Sequence, residues 1–203
     1  MFDTLASLTT FATKHPLMLF VLAVSSVFAT LPGGGAAFAA EGTGKKILVA
    51  YFSHSGNTRE IATQIHEKVG GDIFEIKTVQ TYPAEYNECV QVAKREQQND
   101  ERPQLATEIP DMASYDVVFL GYPNWWGTMP MPCFTFLEKS DFSGKTIIPF
   151  CTHEGSRLGR SVRDITRLCP KSTVLEGLAV RGSSVKSARD DVAGWLRKLG
   201  MTN

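Results

Sequence analysis

The chain lacks an excess of charge of either sign. Its 203 residues include 21 Lys and Arg against 21 Asp and Glu, so the formal net charge is zero when the histidines are neutral. Proteins that bind nucleic acid carry a basic face, and this balance therefore argues against nucleic acid as a partner. A neutral chain also exerts little long-range steering on a charged partner protein.

Cysteine is scarce, and its spacing excludes the common metal motifs. The residues Cys89, Cys133, Cys151 and Cys169 contain no CxxC pair. Structural zinc sites use closely spaced Cys and His ligands, so we predict no metal. Disulfides form in oxidising compartments, and the sequence leaves disulfides and isolated buried thiols open as alternatives.

Two nucleotide-binding motifs are also missing. The chain contains neither the GxxxxGK[ST] loop of triphosphate-binding proteins nor the GxGxxG loop of dinucleotide-binding proteins. Any phosphate site must therefore be of another kind.

The first 39 residues have few charges, and they include the apolar run 17–31, LMLFVLAVSSVFATL. This run is shorter than the roughly 20 apolar residues that cross a membrane. Ala37-Phe38-Ala39 matches the small-x-small pattern at which secretory leaders are cleaved. We therefore predict that residues 1–39 are a signal peptide cleaved after Ala39, and that 40–44 are a short linker.

This leader predicts an exported, periplasmic protein whose mature domain does not insert stably into the membrane. The alternative is a membrane-anchored protein that keeps the apolar run 17–31 as its anchor.

The remainder, residues 45–203, alternates between short apolar runs and segments with helical periodicity. Predicted strands cover 45–52, 72–77, 115–121, 145–151 and 173–180, and predicted helices cover 57–69, 86–98, 133–139, 161–168 and 187–199. This alternation predicts one α/β domain with a parallel sheet covered on both faces. Such sheets bind ligands beyond the carboxyl ends of their strands.

The first loop at that edge is SHSGNT, residues 53–58. It leads into a predicted helix, whose N-terminal N–H groups attract anions. Gly56 permits close approach, and Ser53, Ser55 and Thr58 carry hydroxyls. Because the loop has no Lys or Arg, it suits a compact monophosphate. The alternative is an ordinary turn with Ser55 or Asn57 as helix cap.

Two further loops follow the third and fourth strands. GYPNWWGTMP contains the adjacent Trp125 and Trp126, which suit either a planar aromatic ligand or packing on the core. The other loop is polar and contains His153, Glu154 and Gly155. A hydrogen-bonded loop histidine is the expectation for His153, because no nucleophile or metal pattern recruits it, and we predict no catalytic residue.

AYFSHSGNTREIA, GYPNWWGTMP, FCTHEGS and YPAEY resemble segments of the flavodoxins, in particular the single-domain flavodoxin-like proteins of bacteria. The resemblance covers residues 45–200. It implies a flavodoxin-like doubly wound sheet of five parallel strands in the order 2-1-3-4-5, with helices on both faces.

The resemblance also implies non-covalent FMN, with its phosphate on 53–58 and its ring between 123–128 and 152–156. The residues that it assigns to FMN are Ser53, His54, Ser55, Gly56, Asn57, Thr58, Pro123, Asn124, Trp125, Trp126, Gly127, Thr128, Thr152, His153, Glu154, Gly155 and Ser156.

Three functions are compatible with these features. The first is a redox protein that transfers electrons between partners, either proteins or small-molecule acceptors. The second is an NAD(P)H-dependent FMN reductase of quinones or other small acceptors, and the third is a binding module without flavin. The intact SHSGNT loop disfavours the third. The neutral charge departs from the acidic electron-carrier flavodoxins, whose charge steers them to basic partners.

Overall fold

The structure is a computed structural model that describes residues 44–203. Its parallel strands are β1 Ile47–Tyr51, β2 Asp72–Glu75, β3 Val117–Pro123, β4 Thr146–His153, β5 Thr173–Val174 and β6 Leu178–Arg181. They form one sheet in the order β2-β1-β3-β4-β5, and β6 also pairs with β4. This confirms the predicted order 2-1-3-4-5.

The fifth predicted strand, 173–180, is two short strands rather than one. β5 pairs with Thr146 and Ile147 of β4, and β6 pairs with β4 from Phe150 onward. Between the two pairings lies Pro149, which has no N–H to donate to the ladder. The register also moves from Ile147↔Val174 to Phe150↔Leu178, which places one extra residue on the edge side, as in a bulge.

The helices are α1 Asn57–Val69, α2 Tyr86–Gln98, α3 Met131–Lys139, α4 Ser161–Leu168 and α5 Arg189–Lys198. The bounds of α1, α2 and α4 match the predicted helices. α3 begins two residues earlier than predicted, with a Pro in its first turn, where a missing N–H costs nothing. α5 begins later than predicted because a 3₁₀ helix, Gly182–Ser187, comes first.

The sheet separates two hydrophobic cores. On one face, alternate residues of β1 and β3 pack with α1 and α5. The helices contribute Ile61 and Ile65 from α1 and Leu196 from α5, all of which are fully buried. On the other face, the intervening residues pack with α3 and α4. The strands are therefore apolar on both sides, as in parallel sheets covered by helices, and the prediction of helices on both faces is confirmed.

The carboxyl ends of β1, β3, β4 and β6 lie at one edge of the sheet. Residues 53–58, 123–128 and 152–156 extend from this edge. The predicted signal peptide and most of the predicted linker lie outside the described residues. Across residues 44–203, no helix combines the length and apolar character needed to cross a membrane.

Candidate functional site

A cleft of about 700 Å³ opens at this edge of the sheet, a volume typical of small-molecule sites. Twelve of the seventeen residues that the sequence assigns to FMN line it: His54, Ser55, Asn57, Pro123, Asn124, Trp125, Trp126, Thr152, His153, Glu154, Gly155 and Ser156. The other five, Ser53, Gly56, Thr58, Gly127 and Thr128, lie in the same loops but not on the wall. The three predicted loops therefore meet at one site.

The first loop leaves the start of α1 open to a ligand. Gly56, at the N-cap, has a φ of 91°, in the left-handed region that favours glycine, and it has no side chain of its own to cap the helix. The Ser53 hydroxyl accepts a hydrogen bond from the Arg59 N–H at 3.2 Å. The N–H groups of the first helical turn lack intrahelical acceptors, so those beside Ser55 and Asn57 can receive an anion.

Arg59 does not supply a cation to this loop. Its guanidinium forms an ion pair with Glu75, which lies on β2. The hydrogen bond to Glu75 raises the pKa of Arg59. No Lys or Arg is among the described residues that line the cleft, and Glu154 is the one acidic residue there. An anion at this site would therefore depend on backbone N–H groups, hydroxyls and the helix dipole.

Thr58 connects the first loop to the third. Its hydroxyl is buried and shares a hydrogen bond of 2.9 Å with the hydroxyl of Thr152. The two residues are 1% and 4% exposed, respectively, so this bond is shielded from water and holds the two loops at a fixed separation. Thr58 thus supports the cleft rather than lining it.

The second loop is a tight turn around Trp126 and Gly127. Trp125 and Thr128 exchange backbone hydrogen bonds of 2.8 and 3.1 Å. Trp126 and Gly127 have φ values of 50° and 82°, the positive values of a type I′ turn. A positive φ is unusual for a bulky residue such as Trp, so the surrounding contacts must hold it.

Side chains hold this turn in place. The Asn124 amide donates to the Arg157 carbonyl at 2.7 Å, and its oxygen accepts from the Gly127 N–H at 3.1 Å. The Thr128 hydroxyl donates to the buried Asp164 carboxylate at 2.7 Å. Asn124 and Thr128 therefore fix the geometry of the turn that presents the two tryptophans.

The two tryptophans have different surroundings. The Trp125 ring makes edge contacts with Phe52, Tyr82 and His54, at centroid distances of 5.5, 5.2 and 5.8 Å. Such contacts fix an aromatic side chain in place. Trp125 is thus a firmly held wall of the cleft.

Trp126 is 45% exposed and lies against α2. Its indole N–H donates to the Val90 carbonyl at 3.3 Å, and the Lys94 ammonium lies 5.2 Å from its ring centroid. Its ring therefore lies between the cleft and solvent.

The wall formed by α2 was missed by the sequence analysis. Tyr86, Cys89, Val90 and Ala93 line the cleft, as does Gly182 after β6. These residues are mostly apolar and belong to no polar motif. The YPAEY segment was the one available signal: it contains Tyr86, and its Pro83 carbonyl accepts a hydrogen bond of 2.8 Å from the His54 ring.

Glu154 approaches the first loop across Gly182. A methyl group at Gly182 would lie 2.3 Å from Oε1 of Glu154 and 2.8 Å from Nδ2 of Asn57. A larger residue at this position would require both side chains to move. The carboxylate therefore lies near the start of α1, as well as beside the predicted ring site.

The expectation that His153 is a hydrogen-bonded loop histidine was wrong. It is the last residue of β4, and its Nδ1 atom is buried without a hydrogen-bond partner among the described residues. Burial lowers the pKa of His153, and the charges of Arg157 and Arg181 lower it further. Both effects favour the neutral form of the ring.

The four thiols are free and buried. Burial raises the pKa of Cys169 to about 11 and that of Cys151 to about 12. Cys89 lines the cleft, and burial raises its pKa as well. The structure thus favours the alternative of isolated buried thiols. Among the described residues, no group of His, Cys, Asp and Glu is arranged to hold a metal.

Comparisons with known proteins agree with this architecture. A family model described as Flavodoxin matches residues 46–199. A protein described as a flavoprotein from Bacteroides eggerthii is 33% identical, with a TM-score of 0.62, over 73% of this chain and 98% of its own. The corresponding protein of Bacteroides uniformis is 32% identical, with a TM-score of 0.68, over 76% of this chain and 99% of its own.

A flavoprotein from Lactobacillus acidophilus, solved in complex with FMN, is 24% identical with a TM-score of 0.58, over 70% of this chain and 97% of its own. No curated protein matches the chain. Because the family model spans residues 46–199, and the two Bacteroides flavoproteins are covered almost completely, the chain belongs to the flavodoxin family.

Proposed function

We propose that this protein binds FMN without a covalent bond and transfers electrons between a donor and an acceptor. The observation that carries the proposal is the cleft itself, which joins the open start of a helix to an aromatic wall. A flavin mononucleotide has the same two parts, a phosphate and a planar ring. The Lactobacillus acidophilus flavoprotein, which shares the fold, was solved in complex with FMN.

The phosphate end of the cleft fits a monophosphate. Gly56, the N-cap of α1, has no side chain to cap the helix, and the exposed Ser55 hydroxyl borders the cleft. Anions bind at such helix N-termini without a fixed cation. Backbone N–H groups of residues 55–58 and the Ser55 hydroxyl would hold the phosphate.

The other end fits a planar ring. Trp125 is fixed by edge contacts with three neighbouring rings, and Trp126 and Tyr86 border the same space. An indole whose position is set before binding stacks on a ligand with little loss of conformational entropy. His153 also lines the cleft.

When bound, the flavin supplies the electron-transfer chemistry, and the protein sets its potential. The Glu154 carboxylate in the cleft opposes the addition of negative charge to the ring. The residues of this chain therefore act by binding, orienting and electrostatic tuning. Glu154 is expected to lower the reduction potential.

A second candidate, an NAD(P)H-dependent reductase of quinones or other small acceptors, is favoured by two observations. The balanced charge of the chain gives a partner protein little steering. At the mouth of the cleft, Tyr86 and Trp126 are 76% and 45% exposed, and a small aromatic acceptor could stack on such rings.

Stopped-flow absorption spectroscopy separates the two candidates. FMN-loaded protein is mixed anaerobically with NADPH or NADH, with and without menadione. A carrier keeps its oxidised flavin spectrum for many minutes, although dithionite bleaches it at once. Rapid bleaching by the pyridine nucleotide, followed by turnover of menadione, identifies the reductase.

A further inference from the structure

His153 is poised to respond to charge in the cleft. It ends β4 at the carboxyl edge of the sheet and lines the cleft. Its Nδ1 atom is buried and has no hydrogen-bond partner among residues 44–203. Buried polar atoms are almost always paired. Because no hydrogen bond fixes the protonation of this nitrogen, the charges around the ring decide whether the imidazole is charged.

The charged groups around His153 come from the loop that follows it and from β6. Arg157 follows in the same loop, and Arg181 is the residue that pairs with His153 on β6. The Arg181 guanidinium donates to the Glu154 carbonyl at 2.8 Å, which anchors it beside this loop. Both cations oppose a charge on the imidazole, whereas the Glu154 carboxylate favours it.

Burial and the two cations therefore favour the neutral ring, whereas one more negative charge nearby would favour the imidazolium. Two-electron reduction of a flavin places such a charge on the ligand when only one proton accompanies the two electrons. The electrons come from the redox donor, and the compensating proton comes from solvent.

We propose that His153 takes up a proton from solvent when the bound flavin is reduced and releases it when the flavin is oxidised. The inference rests on the proposed function. In each cycle, the ligand gains two electrons and one proton, and the imidazole gains a second proton to become an imidazolium. The Glu154 carboxylate and the reduced ring then face a cation instead of a neutral group, and the net charge of the cleft is preserved.

Histidine NMR tests this directly, because the chain has only 4 histidines. The C2–H resonances of ¹³C-labelled protein are titrated between pH 4.5 and 9 in apoprotein, FMN-loaded oxidised protein and dithionite-reduced protein. His153→Gln identifies the resonance. We expect its pKa to lie below the ordinary value of about 6.5 before reduction, and its proton affinity to rise at least tenfold on reduction.

His66 is the matched control. It lies on α1, and its ring donates to the Gly71 carbonyl at 3.0 Å. Since it does not line the cleft, its C2–H resonance should not move when the flavin is reduced.

A second measurement counts protons. Wild-type and His153→Gln proteins, both loaded with FMN, are reduced in weakly buffered solution with a pH indicator. Between the His153 pKa values that the NMR titration gives for the oxidised and reduced states, the wild type should take up more protons per flavin than the variant, whose amide cannot titrate. Equal uptake, or a His153 pKa unchanged by reduction, would overturn the inference while leaving FMN binding intact. Failure to bind FMN would overturn the proposed function and the inference together.

Discussion

At the scale of single residues, the hydroxyls of the first loop have separate tasks. Ser55 is exposed and lines the cleft, whereas Thr58 is buried against Thr152. Ser55→Ala should therefore weaken FMN binding but leave riboflavin binding unchanged. A hydrogen bond to a charged group is worth about 1.5–3 kcal/mol, or roughly ten- to a hundredfold in Kd. Isothermal titration calorimetry with both ligands measures it.

Thr58→Val is the control for this prediction. It removes the buried bond to Thr152 and should lower the free energy of unfolding by about 1–3 kcal/mol, because a buried hydroxyl is left unpaired. The binding of FMN and the binding of riboflavin should then weaken by the same factor. If Ser55→Ala weakens the binding of both ligands equally, the phosphate lies elsewhere.

Trp125 is the better candidate for contact with the ring, because its position is fixed by neighbouring aromatic side chains. Trp125→Leu should weaken FMN binding several-fold to tenfold and restore flavin fluorescence that the indole quenches. The loss corresponds to about 0.5–1.5 kcal/mol for an aromatic pair. Fluorescence titration of the two single variants Trp125→Leu and Trp126→Leu provides the measurement.

Trp126→Leu should have the smaller effect, because this ring lies between the cleft and solvent against α2. The opposite order would show that the flavin stacks on Trp126. Unaltered binding and fluorescence in both variants would remove the tryptophans from the flavin site.

The sequence alone predicted which loops form the cleft but not the task of each residue. Polar and glycine-rich loops after predicted strands identify the carboxyl edge of a parallel sheet. Local pattern does not reveal that Thr58 turns toward Thr152, or that His153 lacks a partner, since both depend on contacts between loops distant in sequence. The apolar wall of α2 carries the same pattern as a helix that only covers a core.

At the scale of elements, the turn at 124–128 depends on the segment before α4. Gly159 has a φ of 55°, and a methyl group there would lie 2.3 Å from the Gly127 carbonyl oxygen. That oxygen also accepts the Arg160 N–H at 2.8 Å. Gly159→Ala should therefore destabilise the fold, displace the tryptophan turn and weaken FMN binding. Urea unfolding and FMN titration measure the two effects.

Gly144→Ala is the control that measures the cost of the left-handed backbone conformation without a steric clash. Gly144 also has a positive φ, 75°, but a methyl group there meets no atom within 4 Å. In Gly144→Ala, the left-handed conformation alone should lower the free energy of unfolding by about 1–2 kcal/mol. The affinity for FMN should not change. Equal losses for the two variants would contradict the proposed dependence of the turn on Gly159.

Element boundaries were predictable where local signals are strong. α1 ends at Val69, and its C-cap is Gly70, which follows a run of residues with helical periodicity. The division of the fifth strand was not predictable from residues 173–180, because its cause, Pro149, lies on the neighbouring strand. The early start of α3 was not predictable from hydrophobic periodicity. It depends on the tolerance of the first helical turn for proline.

At the scale of the whole molecule, the proposed location follows from the first 39 residues. We expect export with cleavage after Ala39, which leaves a protein that begins Ala40-Glu41-Gly42. Intact mass measurement of the protein purified from its native host, by fraction, reads the N-terminus. A chain that retains Met1 in the membrane fraction would support the anchor alternative instead.

We propose that one cleft holds both halves of FMN, and calorimetric titration of the purified apoprotein with FMN and with riboflavin is the decisive experiment. We expect one site per chain, a shift of the flavin absorption spectrum on binding, and tighter binding of FMN than of riboflavin because the open start of α1 receives the phosphate. A colourless protein that shows no binding heat and no spectral change at saturating FMN would contradict it.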